Sequence, residues 1–146
     1  MKKILLCLIS VIIACSLLTS CGKKKENDEE QMQMSESVVK TLSIKEWLDK
    51  ESENIEKLKE SMEGTDLELE LVSREKSLVY QYRFTKVSKD DVDVELKEQL
   101  EFDMEEQKDS MKKVLEMLKK EVADIESVIY EYYDNENNLI TSCEIK

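Results

Sequence analysis

The chain has no histidine and no proline, and only two of its 146 residues are glycine. Without histidine, neither a Ser-His nor a Cys-His catalytic pair can form, and the commonest nitrogen ligand for zinc is missing. Side-chain catalysis would have to use carboxylate, Lys or Tyr groups, and no spacing of these groups identifies a site. We therefore expect no enzyme activity, no metal site and no cofactor.

Basic residues are also scarce relative to acidic ones. The sequence holds 22 Lys and Arg against 34 Asp and Glu, a net charge of −12. This balance argues against nucleic acid as a partner, because the phosphate backbone attracts proteins of the opposite charge. Three neighbouring acids, Asp90, Asp91 and Asp93, lie where a helix is predicted to begin, so we interpret them as favourable helix-start charges and not as a metal site.

The N-terminus has the pattern of a bacterial export signal. Lys2 and Lys3 precede an aliphatic run from Ile4 to Leu18, which as a helix would span roughly 22 Å and fall short of a hydrocarbon core of about 30 Å. The run ends in Leu18-Thr19-Ser20-Cys21, which resembles a lipobox. By this resemblance residues 1–20 are a lipoprotein signal peptide, and Cys21 becomes an acylated N-terminus that anchors the chain in membrane lipid. The location expected is the outer face of a bacterial cell membrane.

Cleavage and acylation would leave one free cysteine, Cys143, so the fold must hold without an internal disulfide. Loss of Lys2 and Lys3 would leave 20 basic against 34 acidic residues, a net charge of −14. Residues 21–37 are polar and lack hydrophobic periodicity, which predicts a lipidated, disordered tether. Residues 38–146 are predicted to form a single domain.

The domain begins with a clear helix signal. Ser43 and Glu46 are spaced as a capping box, Leu42 and Trp47 as a hydrophobic staple, and the helix is expected to continue to Gly64. Alternating residues then predict a hairpin between 66 and 84 that turns near residues 73–76. A second helix follows, with a break or bend expected between 103 and 110, and a second hairpin completes the chain.

This order, helix-hairpin-helix-hairpin, predicts an α+β fold. We expect one four-stranded antiparallel sheet with the helices packed on one face. A repeated motif, Val79-Tyr80-Gln81-Tyr82 and Ile129-Tyr130-Glu131-Tyr132, suggests internal duplication. The two copies lie on different strands of their hairpins, however, so the motif is out of register for a duplication.

Three segments, 42–48, 78–84 and 128–134, resemble landmarks of a small uncharacterised lipoprotein family of Gram-positive bacteria, described only as a domain of unknown function. The resemblance implies a location and a fold for most of residues 38–146, and no activity. The family usually has an Asp-Gly type turn in its last hairpin, whereas this chain has Asn137.

Helices on one face would leave the other sheet face open. Val79, Ile129, Tyr133 and Ile140 are predicted to lie on that face and form a surface that binds a protein or peptide. The function expected is therefore a membrane-anchored binding or accessory module. The alternative is a carboxylate-based surface enzyme or a small-ligand-binding domain, which a deep pocket with buried carboxylates of raised pKa would favour.

Overall fold

The computed structural model describes residues 41–146, so the predicted signal peptide, the lipobox-like sequence and the whole of the predicted tether lie outside the described part of the chain. The helices and strands, numbered in chain order, are α1 (Ile44–Lys50), α2 (Ser52–Ser61), β1 (Leu67–Arg74), β2 (Ser77–Phe84), α3 (Val94–Glu121), β3 (Ser127–Tyr133) and β4 (Leu139–Ile145). A 3-10 turn at Lys89–Asp91 precedes α3.

The capping box predicted for the first helix is confirmed. The Glu46 N–H donates to Ser43 Oγ at 3.2 Å, and the Ser43 N–H donates back to Glu46 Oε2 at 2.9 Å. The prediction of one helix up to Gly64 is wrong, because Glu51 has a ψ of 5° and separates α1 from α2. Gly64 lies beyond α2 with a φ of 82°, a conformation that glycine adopts without strain.

The third helix is continuous over 28 residues, so the expected break between 103 and 110 is wrong. Asp103 remains in the helix and accepts a hydrogen bond from Gln99 Nε2 at 2.9 Å. The helix is about 42 Å long. Val94 at its start is 71% exposed, Leu96 is partly buried against the core, and the buried stripe begins at Leu100. Its N-cap is Asp93, which accepts from the Leu96 N–H at 2.8 Å. None of the helices between residues 41 and 146 combines the length and apolar composition needed to cross a membrane.

The four strands form one sheet in the order β1-β2-β3-β4, but the sheet is mixed. β1 and β2 pair antiparallel, as do β3 and β4, whereas β2 and β3 are parallel. The predicted antiparallel sheet is therefore wrong, and the element order is helix-helix-hairpin-helix-hairpin. The reason is the long crossover through α3, which returns the chain to the starting end of β2 so that β3 runs in the same direction.

The central parallel pair places the repeated tyrosines side by side. Tyr80 pairs with Tyr130 and Tyr82 with Tyr132, and their rings stack with centroids 5.0 Å and 5.1 Å apart. These four rings are almost fully buried in the hydrophobic core, together with residues from all three helices. Successive side chains of a strand point to opposite faces of the sheet. The residues that alternate with the tyrosines therefore lie on the other face: Val79, Gln81, Ile129 and Glu131.

Candidate functional site

The predicted binding residues are less exposed than the sequence suggested. Val79 is fully buried, although it lies outside the main core cluster, and Ile129 and Tyr133 are half-buried. The four residues of the predicted lipobox, Leu18, Thr19, Ser20 and Cys21, lie outside the described part of the chain. The structure therefore brings Val79, Ile129 and Tyr133 to one sheet face without forming an exposed apolar patch.

Ile140 does not belong to that face. It is 8% exposed and part of the core cluster, whereas its neighbour Leu139 is 53% exposed. The register of β3 and β4 shifts between Tyr132 and Tyr133, so that Tyr132 pairs with Thr141 and Tyr133 with Leu139. Such a bulge exchanges inward and outward positions along a strand, which the simple alternation used in the prediction did not include.

A buried carboxylate, Glu131, organises the face opposite the helices. Arg74 holds it through two hydrogen bonds, Nη1 to Oε1 at 2.6 Å and Nη2 to Oε2 at 3.1 Å. Gln81 Nε2 donates to Oε2 at 2.9 Å, and the Tyr133 hydroxyl donates to the same oxygen at 2.7 Å. We call these four residues the Glu131 cluster. Both carboxylate oxygens are engaged, which is what a buried charge requires.

These contacts set the ionisation state of the cluster. Burial by itself would raise the pKa of Glu131, but the hydrogen bonds from Arg74, Gln81 and Tyr133 outweigh it and lower the pKa from 4.5 to about 2. Burial and the neighbouring carboxylate raise the pKa of Tyr133. Glu131 is thus ionised and fully hydrogen-bonded near neutral pH, a state suited to holding structure and unsuited to donating a proton.

The cluster also explains why Val79 is buried on a face that no helix covers. Arg74 lies on β1 and Glu131 on β3, so their ion pair passes across the intervening strand β2. On this face Val79 lies between Val72 of β1 and Ile129 of β3. The pair therefore covers apolar side chains that would otherwise face solvent. Sequence reasoning missed it, and the only signal was a glutamate in the middle of an apolar tyrosine-rich strand.

A second polar group lies near the other end of the face. Arg83 Nε lies 3.0 Å from Glu68 Oε2, and Arg83 Nη1 donates to Asn137 Oδ1 at 3.1 Å. Asn137 has a φ of 65°, and the loop that contains it is held by Asp134, which accepts from the N–H groups of Glu136 and Asn138. The Asn in the last hairpin therefore adopts the left-handed conformation that the turn requires.

Between this group and the Glu131 cluster lies an open cavity of about 410 Å³, which we call the edge groove. It is lined by Lys59 of α2, residues 68–70 of β1, Arg83 of β2 and Tyr133 of β3, among others. The lining joins Lys59, which belongs to a helix on the core side of the sheet, to Gln81 and Arg83 on the open face, and β1 is the edge strand between them. The groove therefore extends from the open face to the free edge of the sheet.

Elsewhere in the described region the chemistry is sparse. Cys143 is half-buried, and burial raises the pKa of its thiol above the usual value, with a smaller upward contribution from Glu105 and an opposing one from Lys108. Between residues 41 and 146 no group of three carboxylate or thiol side chains is arranged to hold a metal ion. Asp93 accepts from the Leu96 N–H as the N-cap of α3, whereas Asp91 accepts from the Ser88 N–H in the preceding 3-10 turn.

Comparison with known families gives one match. Residues 44–145 match the model of a family described as a domain of unknown function, DUF4854. The chain belongs to this family. The match spans α1 to β4, so it includes the Glu131 cluster and the edge groove, and it carries no assigned activity. No curated protein and no solved structure shows significant similarity to the chain.

Proposed function

We propose that this DUF4854 protein is a membrane-anchored surface lipoprotein of a Gram-positive bacterium, and that its folded domain binds a protein or peptide. The proposed anchor rests on the signal-like N-terminus and on Cys21 of the lipobox-like sequence. Two acyl chains on that cysteine would hold the chain stably, because each buried methylene contributes about 0.8 kcal/mol. The membrane lipid is thus one proposed partner.

The observation that supports binding is the open sheet face with its edge groove. The helices contribute to the core cluster on the opposite face, and the groove opens where Tyr133 and Arg83 meet the edge of β1. The groove offers a mixture of cationic, anionic and aromatic side chains without a buried carboxylate of raised pKa. Such a lining suits recognition of a polar polypeptide better than proton-transfer chemistry.

Replacing Cys21 by Ser tests the anchor. In cells fed a labelled fatty acid, we expect Cys21→Ser to abolish labelling and to release the protein or leave it unprocessed. Cys15→Ser removes a thiol from the proposed signal peptide and should leave labelling unchanged. Undiminished labelling of Cys21→Ser would refute the proposed anchor.

Site-specific crosslinking tests the binding surface. A photo-crosslinking amino acid in place of Lys59, which lines the groove, is expected to give discrete adducts with a surface partner on intact cells. The same amino acid in place of Lys57, which is exposed on the same helix and does not line the groove, is the matched control. Identical adducts at both positions would contradict a role for the groove.

A further inference from the structure

The free edge of β1 has unpaired backbone groups at the edge groove. The Thr85 N–H donates to the Asp66 carbonyl at 3.0 Å, which identifies residues 66 and 85 as a hydrogen-bonded pair of the antiparallel ladder. Such pairs alternate, so Glu68, Glu70 and Val72 bond to β2, whereas the N–H and C=O groups of Leu69 and Leu71 point away from it. Outside the ladder, no backbone hydrogen bond within residues 41–146 involves Leu69 or Leu71.

The other edge of the sheet is less suited to pairing. The β3–β4 ladder has a bulge at Tyr132 and Tyr133, and α3 packs more closely against β4 than α1 or α2 does against β1. β1 by contrast keeps one register with β2 over all eight of its residues. A long, regular edge with outward backbone donors and acceptors is the feature that an added strand recognises.

The charges along β1 indicate which strand would fit. Glu68 and Glu70 are exposed on the open-face side of the edge. Glu68 pairs with Arg83, whereas the side chain of Glu70 makes no hydrogen bond or ion pair with any described residue. On the other side of the edge lie the buried side chain of Leu69 and Lys59, whose ammonium group pairs with Glu56. Cross-strand neighbours favour opposite charges and matched apolar groups. The complementary strand therefore alternates cationic with apolar residues.

We propose that the β1 edge binds an extended segment of a partner protein, with alternating cationic and apolar residues, as a fifth strand of the sheet. This inference rests on the proposed binding function and names its partner class. A second copy of the chain is a poorer occupant, because antiparallel pairing of two β1 strands would place Glu68 and Glu70 of one copy against those of the other.

Two synthetic eight-residue peptides serve as probes, one alternating Lys with Val and the other Glu with Val. The full-length chain in detergent micelles is expected to bind the Lys-Val peptide, with affinity falling as salt increases, and to reject the Glu-Val peptide. Glu70→Lys should weaken binding of the Lys-Val peptide about fivefold to tenfold. Glu106→Lys makes the same charge change at an exposed site on α3 and should leave the affinity unchanged.

Amide hydrogen exchange locates the bound strand. The Leu69 and Leu71 N–H groups are expected to exchange quickly in the free protein and slowly in the complex, whereas those of Glu68 and Glu70 are protected in both states. Binding of the Lys-Val peptide without this protection would overturn the edge proposal. Slow exchange of the Leu69 and Leu71 N–H groups without added peptide would also overturn it. If that protection depended on protein concentration, the edge would be covered by a second copy of the chain. If it did not, the edge would be covered by residues 1–40 of the same chain.

The two proposals can fail separately. Absence of peptide binding, together with discrete crosslinks at the Lys59 position, would refute the fifth strand and leave the binding module standing. The opposite result is also possible, in which the peptide binds and protects the edge but no groove-specific adduct forms on cells. The β1 edge would then have the proposed specificity, and the proposed binding function in cells would be wrong.

Discussion

The Glu131 cluster predicts a specific dependence of stability on pH. Glu131 has a folded-state pKa of about 2 against an ordinary value of 4.5. Because the folded pKa is depressed, the stabilisation is fully present above about pH 5 and is lost as pH falls through the folded value. The difference between the two pKa values corresponds to about 3 kcal/mol.

That figure is an upper limit, because the Arg74 side chain is 49% exposed and solvent screens its charge. Without screening, roughly 2 kcal/mol of the unfolding free energy that Glu131 contributes would be lost between about pH 6 and about pH 3. With screening, we expect a loss of about 1 to 2 kcal/mol. Glu131→Gln removes the titrating group while keeping a side chain of similar size. The difference in unfolding free energy between the original chain and Glu131→Gln should therefore narrow by this amount over the same interval.

Urea unfolding followed by tryptophan fluorescence measures this difference, since Trp47 is the single tryptophan and is only 4% exposed. Comparing the two proteins at each pH cancels the titration of the other carboxylates. Glu106→Gln, at an exposed position on α3, is the matched control and should track the original chain at every pH. A difference for Glu131→Gln that stays constant between about pH 6 and about pH 3 would refute the assigned role of the cluster.

Three further predictions concern stability and reactivity. Ser43→Ala should lower the unfolding free energy by about 1 kcal/mol in urea titrations, because it removes the side-chain acceptor of the capping box, whereas Ser52→Ala at an exposed position should change it little. Glu75→Asn should raise the melting temperature, because residue 75 has a φ of 53° in the first hairpin turn and Asn adopts that region more readily. Cys143 should react slowly with iodoacetamide near neutral pH in the folded chain and much faster in urea, because burial raises the pKa of its thiol.

Each of these outcomes can fail in a distinct way. Equal losses from Ser43→Ala and Ser52→Ala would mean that the cap does not stabilise α1. A lower melting temperature for Glu75→Asn would mean that the glutamate makes a favourable interaction that outweighs its backbone conformation. Equal alkylation rates for folded and unfolded chains would show that the thiol is not protected by the fold.

Local patterns determined most of the secondary structure. The capping box at Ser43, the alternation in β1 and β2 and the acidic start of α3 each depend on residues a few positions apart, so the sequence alone reveals them. The break between α1 and α2 and the continuity of α3 escaped prediction. In α3, Asp103 interrupts the apolar stripe and remains in the helix. Gln99 donates to its Oδ1, whereas its Oδ2 is buried without a hydrogen-bond partner among the described residues.

Sequence patterns could not predict how strands that are distant in the chain pair with one another. The repeated Val-Tyr-Gln-Tyr and Ile-Tyr-Glu-Tyr segments were out of register for a duplication, yet they pair residue by residue as neighbouring parallel strands. The repeat therefore reflects equivalent environments in the centre of the sheet. The bulge that buries Ile140 and exposes Leu139 likewise depends on how β4 meets β3, which alternation along one strand cannot reveal.

The sequence by itself determined the approximate positions of the helical and strand regions, the acidic charge and the lack of histidine, and it predicts the lipid anchor at Cys21. Only the tertiary structure decided that Arg74 reaches across β2 to Glu131 and that β1 is left as a free edge beside a groove. Those features join residues that are far apart in the chain, since Arg74 and Glu131 are 57 positions apart. They depend on the direction in which β3 enters the sheet, which is set by the packing of α3 and not by any local pattern.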